Sequence, residues 1–231
     1  MWSGPRNIST VLMRSFGARA DTVVVDEPFY ACYLAATGLD HPRRDLVLAD
    51  QPTAWRDVVA RLTAPLPAGT KISYQKHMAQ HLLPAIDRGW IGALTNAYLI
   101  RDPDEVVASY ARVRDEPTLD DLGYARQVEL HRSFGGPVID ARDLLRDPPG
   151  LLAALCAALG IGFDEHMLRW ASGPRATDGV WAPHWYGSVL RSTGFAPYRL
   201  PTEPLPDRLR PIADAARPLY DQLFAERLTT G

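Results

Sequence analysis

Short apolar, β-branched runs alternate along this chain with stretches whose apolar residues recur every three or four positions. The runs predict strands at Thr22–Asp26 (TVVVD), Lys71–Tyr74, Leu94–Ile100 and Pro137–Asp140. The spaced stretches predict helices at Ser9–Arg19, Thr53–Leu62 (with Thr53 as its cap), Asp120–Phe134, Pro149–Leu159 and Leu209–Glu226. Asp102 opens another, with Pro103 in its first turn and Val106, Val107 and Tyr110 behind it. Strands alternating with helices predict an α/β fold with a central, mainly parallel sheet. From residue 171 to 206 the pattern breaks up into Gly, Pro, Trp and Ser, which reads as a long ordered loop or lid, followed by the closing helix within 207–228. One domain over 1–231 is expected. Its first strand is the anomaly: only Met1 and Trp2 precede the first glycine turn, so either that strand is almost absent or the true start lies upstream.

That turn is the first place where pattern becomes chemistry. Ser3-Gly4-Pro5-Arg6-Asn7-Ile8-Ser9-Thr10 feeds directly into an apolar-periodic helix. Backbone N–H groups and the positive end of the helix dipole converge at such a point and suit an anion. Ser9 and Thr10 add hydroxyls, and Arg6 adds a two-pronged cation. An ordinary N-capped helix would show the same local pattern. No G-x-x-x-x-G-K-[ST] run occurs and no Lys sits in the turn, which argues against a nucleotide hydrolase or an ATP-dependent small-molecule kinase. A second anchor lies at Arg101, past the end of the fourth predicted strand, where open α/β sheets bind ligands. Ser109 follows eight residues later, about 12 Å along a straight helix. Both reach one phosphate only if the chain turns back; otherwise Arg101 is an ion-pair partner for a carboxylate such as Asp102 or Asp104.

Composition changes this picture little. Of 231 residues, 46% are apolar and 23% charged, with a net charge of −2, which gives no reason to expect a nucleic-acid partner. No apolar run is long enough to span a membrane, and the N-terminus shows no signal-peptide pattern. Two cysteines, Cys32 and Cys156, make neither a disulfide framework nor a thiolate metal site and fit a reducing, cytoplasmic setting. The 25 basic residues include only two lysines, Lys71 and Lys76, both in one segment.

Taken in order, these motifs resemble the sulfotransferase superfamily. Pro5-Arg6-x-x-Ser9-Thr10 resembles its P-R-S-G-T-T turn, and Arg101-x7-Ser109 its R-D-P…S segment. Val138-Ile139-Asp140-Ala141-Arg142-Asp143-Leu144-Leu145-x-Asp147-Pro148 is similar to its E-D-L…D-P strand and helix, and Leu155–Ile161 to the helix beyond. The S-G-P-R-N-I-S-T and D-E-P-F-Y runs resemble a bacterial sulfotransferase-like group. Some of its members carry aminotransferase-like names, although no pyridoxal-phosphate lysine setting is evident in this sequence. The resemblance implies a P-loop-like three-layer fold and the donor 3′-phosphoadenosine 5′-phosphosulfate (PAPS), leaving 3′,5′-diphosphoadenosine. It implies that Gly4, Pro5, Arg6, Asn7, Ile8, Ser9 and Thr10 cradle the 5′-phosphosulfate and that Arg101 and Ser109 grip the 3′-phosphate. Asn7 and Ile8 stand where the superfamily has Ser and Gly, and Ile8 limits how closely backbone approaches an anion.

Sulfo transfer to an alcohol or phenol needs a base for the hydroxyl proton and positive charge on the sulfonyl group. Glu27, just past the second predicted strand in Asp26-Glu27-Pro28, is the first candidate base, with Asp26 behind it; either can instead cap the next helix. His77 is the rival, and its neighbour Lys76, with Arg6, is a candidate for charge stabilisation. Adjacent residues of a strand face opposite ways, so Lys76 and His77 share a site only if the chain turns there. His77 and His81 alone make a poor metal site, and no metal is expected. In the late loop, the resemblance places Arg191 and Ser192 near the nucleotide; Trp181, Trp185 and Tyr186 either stack on a ring or pack the loop down. Tyr30–Leu66 is the expected acceptor wall, for a small alcohol or phenol. A non-catalytic nucleotide- or partner-binding protein on the same fold is the remaining alternative.

Overall fold

A computed structural model describes residues 1–113 and 117–230. In chain order its elements are β1 (Trp2–Ser3), α1 (Ser9–Gly17), β2 (Thr22–Asp26), α2 (Tyr30–Thr37), α3 (Arg44–Asp50), α4 (Trp55–Leu62), β3 (Ile72–Met78), β4 (Tyr98–Ile100), α5 (Pro103–Tyr110), α6 (Leu119–Leu122), α7 (Tyr124–Phe134), β5 (Val138–Asp140), α8 (Ala141–Arg146), α9 (Pro148–Ala158), α10 (Ala182–Trp185) and α11 (Arg210–Ala225). The fold is α/β, and β1–β4, β4–β5 and β2–β3 all pair in parallel. No helix among the described residues is long and apolar enough to cross a membrane.

The chain divides into two compact units. The first comprises Met1–Ser9, Thr95–Phe163 and Ala196–Gly231. Its strands lie in the order β1–β4–β5, with Trp2 opposite Tyr98 and Tyr98 opposite Val138. The strand at the chain's start is thus two residues long, yet it is anchored: Trp2 N donates to Ala97 O at 2.8 Å and Trp2 Nε1 to Asn96 Oδ1 at 2.9 Å. Every residue of β4 and β5 is buried, as expected of strands covered on both faces. The closing helix α11 packs against α5 and α7, burying Ala213, Ala216, Tyr220 and Leu223. Tyr220 donates to the buried Asp140 at 2.9 Å, tying the helix to the end of β5.

The second unit comprises Thr10–Leu94 and Asp164–Phe195. Here β2 and β3 run in register from Thr22 opposite Ile72 to Asp26 opposite Lys76. Its core holds Leu12, Met13, Phe16, Leu34, Val47, Ile91 and Trp181. Phe16 stacks on Tyr74 with ring centres 4.4 Å apart.

Several element boundaries differ from the sequence expectation, each for a local reason. β3 does not stop at Tyr74 but continues to Met78. The strand expected from Leu94 starts only at Tyr98, because Leu94 closes a 3-10 turn over Gly89–Ala93. The helix expected over Asp120–Phe134 is two helices, broken at Gly123 with φ of +74°. Thr53 caps nothing: α4 starts at Trp55 behind an extended Ala54 without a side-chain cap. The 171–206 segment contains α10 and 3-10 turns at Val189–Arg191.

Candidate functional site

In the first unit, the turn from Gly4 to Ile8 is tight and strained. A Cβ on Gly4 would lie 2.2 Å from Leu122 O, so only glycine fits there. Arg6 (φ +61°) and Ile8 (φ +56°) both occupy the left-handed region, which is costly for L residues and most of all for a β-branched one. Ile8 therefore holds the backbone conformation that a glycine would adopt without strain. Asn7 is buried and donates from Nδ2 to Leu99 O at 3.1 Å, pinning the turn to β4, while its Oδ1 has no partner among the described residues. Ser9 and Thr10 are the first two residues of α1, and both are buried.

Arg101 and Ser109 do not meet each other; both meet Arg6. Arg6 Nε donates to Ser109 Oγ at 2.9 Å, and Arg101 donates to Arg6 O at 2.8 Å. The Arg6 side chain thus spans the gap that α5 leaves between strand end and serine. Arg101 also pairs with Glu105 at 2.8 Å, not with Asp102 or Asp104, which serve Arg217 instead. Asp102 caps α5 by accepting from Asp104 N. Arg6 has no carboxylate partner among the described residues. Burial, then Arg101 and Arg112 nearby, push its pKa below the ordinary arginine value. A half-buried guanidinium among like charges can hold an anion by its chemistry.

In the second unit, the end of β2 meets β3 in a cluster of buried charges. Lys76 Nζ donates to Asp26 Oδ1 at 2.9 Å, to Glu27 Oε1 at 2.5 Å and to the Tyr186 hydroxyl at 2.7 Å. An ammonium has three N–H groups, and all three are engaged. Tyr186 in turn accepts from Trp181 Nε1 at 3.0 Å and reaches Asp26 Oδ2 at 2.7 Å. Glu27 sits in a strained turn directly before Pro28, at φ +41°. Its N–H continues the ladder to Lys76 O at 2.9 Å, and Gln51 Nε2 donates to its carbonyl at 3.2 Å. Burial raises the Glu27 pKa above the ordinary carboxylate value; Lys76 opposes this and Asp26 adds to it. Burial also works against charge on Lys76, but the two carboxylates outweigh it and hold the lysine's pKa above its ordinary value.

His77 lies outside this cluster. Because β3 runs on to Met78 without turning, His77 faces away from Lys76. It hydrogen-bonds Gln75 Oε1 and packs near Phe29 and Trp90. Burial pushes its pKa well below the usual histidine range, so it is neutral. In the late loop, Arg191 is exposed, and Ser192 is committed to Trp170 Nε1 and Val189 O. The loop is held by ties that sequence reading missed. Arg14 and Asp178 form a buried two-pronged ion pair at 2.6 and 2.7 Å, Gly179 N donates to Asp26 Oδ2, and Arg43 donates to Val180 O. No local signal in the sequence pairs Arg14 with a residue 164 positions away. Tyr186 was legible only as one aromatic among several, not as the hydroxyl that closes the Lys76 shell.

Comparison with known proteins gives the family and the fold. A family model described as a sulfotransferase domain matches residues 1–227. The branched-chain-amino-acid aminotransferase-like protein 1 of Arabidopsis thaliana is 38% identical over 227 residues, covering 96% of this chain and 40% of its own length. Protein 2 of the same name and plant is 34% identical over the same shares. The chain therefore spans about two fifths of the length of these relatives. Among solved structures, the sulfotransferase domain from the Synechococcus PCC 7002 olefin synthase superposes with a TM-score of 0.56 at 19% identity, covering 98% of this chain and 94% of that one. The sulfotransferase domain from the curacin biosynthetic pathway gives 0.53 at 17%, covering 94% and 95%. At such identities these two establish a shared fold.

Proposed function

This chain belongs to the sulfotransferase-domain family, and from that premise we propose that it moves a sulfonyl group from PAPS to the hydroxyl of a small alcohol or phenol. The observation that carries the reading is Arg6: a half-buried cation, without a carboxylate partner among the described residues, on which Arg101 and Ser109 both converge. The residues fit an anionic donor. Arg6 and the backbone of Gly4–Ser9 hold its 5′ end, and Arg101 with Ser109 holds the 3′-phosphate. When bound, the donor supplies a sulfonyl group activated by its bond to phosphate. Arg6 places positive charge on the transferring group, as an electrostatic stabiliser that needs no reorganisation. Glu27 takes the proton of the acceptor hydroxyl. Its raised pKa makes it a stronger base than an exposed glutamate, at the cost of needing a higher pH to be ionised. The Tyr30–Leu66 segment, which carries α2, α3 and α4, forms the acceptor wall.

The relatives' aminotransferase-like names belong to proteins of which this chain matches about two fifths, whereas the sulfotransferase-domain model matches residues 1–227 of this chain itself. Calorimetric titration with 3′,5′-diphosphoadenosine, beside ADP and AMP, tests the reading. Binding that depends on the 3′-phosphate is the expected result. Absent binding, or a preference for ADP, overturns it in favour of an ATP-dependent kinase or a non-catalytic binding protein.

A further inference from the structure

The hydrogen bonds around Tyr186 have only one consistent direction. Lys76 Nζ and Trp181 Nε1 are donors without acceptor capacity, so the hydroxyl oxygen accepts from both. Its own proton is then the only one it can give, and Asp26 Oδ2, at 2.7 Å, is its nearest carboxylate oxygen. Asp26 Oδ1 accepts from Lys76, Asp26 Oδ2 from Tyr186 and Gly179 N, and Glu27 Oε1 from Lys76. Of the four carboxylate oxygens in the cluster, Glu27 Oε2 is the one that no donor among the described residues reaches. It is also on the less buried side chain: Glu27 is 12% exposed and Asp26 1%.

We propose that Tyr186, the residue that closes α10, is a positioning residue: its hydroxyl commits Asp26 and Lys76 to each other and leaves Glu27 Oε2 as the single proton acceptor. The proposal rests on the reading of Glu27 as the base. It also reassigns Lys76, whose ammonium orients the two carboxylates and has no N–H left for a sulfonyl oxygen. The charged and titratable groups facing Glu27 are Asp26 from β2, Lys76 from β3 and Tyr186 itself. Removing the hydroxyl takes a donor from Asp26 and an acceptor from Lys76. The Asp26 charge is then less compensated and draws Lys76 towards itself. Glu27 loses part of its counter-charge and holds its proton more tightly.

The test is carbon-13 NMR of the full chain labelled at glutamate Cδ, with the Glu27 resonance assigned by its loss in Glu27→Gln. In Tyr186→Phe the Glu27 carboxyl is expected to titrate about one pH unit higher than in the wild type. In an Asp26→Asn background the same substitution is expected to move it much less, because the charge that the hydroxyl serves is gone. An unchanged titration in Tyr186→Phe, or an equal shift with and without the Asp26 charge, overturns the proposal. A merely structural tyrosine would lower stability and leave the titration where it was. The measurement needs no turnover, so the two readings fail separately. A shift without sulfo transfer keeps the positioning role and sinks the proposed reaction; sulfo transfer without a shift does the reverse.

Discussion

The Gly4–Ser9 turn and the Lys76 cluster hold buried charge in opposite ways. At the turn, Arg6 lies near Arg101 and Arg112, and among the described residues its side chain meets only a serine hydroxyl and no carboxylate. At the cluster, every N–H of Lys76 has an oxygen, and one carboxylate oxygen has no donor among the described residues. Burying charge is costly unless it is paired, so the first region favours an anionic partner, and the second meets most of its charge from within. Backbone strain is present in both. Among the described residues, three of the four non-glycine residues with positive φ are Arg6, Ile8 and Glu27. Under the proposed reading, a cation held short of partners serves anion binding and a carboxylate held in a fixed turn serves proton removal.

The contrast breaks most sharply at Glu27. Replacing it with Gln keeps an oxygen for Lys76 and removes the proton acceptor. Turnover is expected to fall by about a hundred- to ten-thousandfold, the usual span for loss of a general base. Affinity for 3′,5′-diphosphoadenosine, measured by calorimetry, is expected to stay within about twofold, since the residues assigned to it belong to the other region. Full turnover in Glu27→Gln would remove Glu27 from the role of base. In the wild type, the ionised form is the active one, so kcat/KM should rise with pH. Burial raises the Glu27 pKa, so the acidic limb should lie above the ordinary glutamate range.

Arg101→Ala probes the other side of the comparison with a smaller effect. A hydrogen-bonded charge pair is worth roughly ten- to a hundredfold in affinity. That loss is expected for 3′,5′-diphosphoadenosine, and little change is expected for AMP, which lacks the 3′-phosphate. Equal losses for the two nucleotides would mean that Arg101 only braces the turn through Arg6 O.

The turn could be read from sequence because its chemistry is local: glycine, proline, arginine and a helix start within eight residues. The contact between Arg6 and Ser109 could not, because it depends on how a side chain bridges 103 positions. The cluster was legible by halves. Lys76 stood out as one of two lysines, and Glu27 by following a strand, but their contact joins residues 49 positions apart, which no local pattern shows. Gln75, Lys76 and His77 look like the polar end of a strand, yet all three are buried within it. They are tolerated because Gln75 donates to Leu62 O, Lys76 serves two carboxylates and His77 is neutral beside Gln75. Polarity alone does not mark a strand's end when buried polar side chains such as Gln75 and Lys76 find partners elsewhere in the chain. For the same reason no pattern flags Tyr186, which lies 110 positions from Lys76.

The smallest effect tests the strain itself. At an ordinary helix or strand position, alanine is more stable than glycine by about 0.5–1 kcal/mol, because glycine has more freedom to lose. At a positive φ the order reverses, since a Cβ there costs about 1 kcal/mol or more. Ile8→Ala and Ile8→Gly lose nearly the same half-buried side chain, so their difference isolates the backbone. Urea unfolding is expected to find Ile8→Gly the more stable of the two by about 1 kcal/mol. If Ile8→Ala is instead the more stable, the turn carries no such strain, and the isoleucine departs from the superfamily's glycine without cost. If glycine wins, Ile8 is retained against its own backbone preference. The affinity of Ile8→Gly for 3′,5′-diphosphoadenosine then shows what that side chain does: an increase means it was keeping the anion at a distance, and a decrease means it was holding the turn in shape.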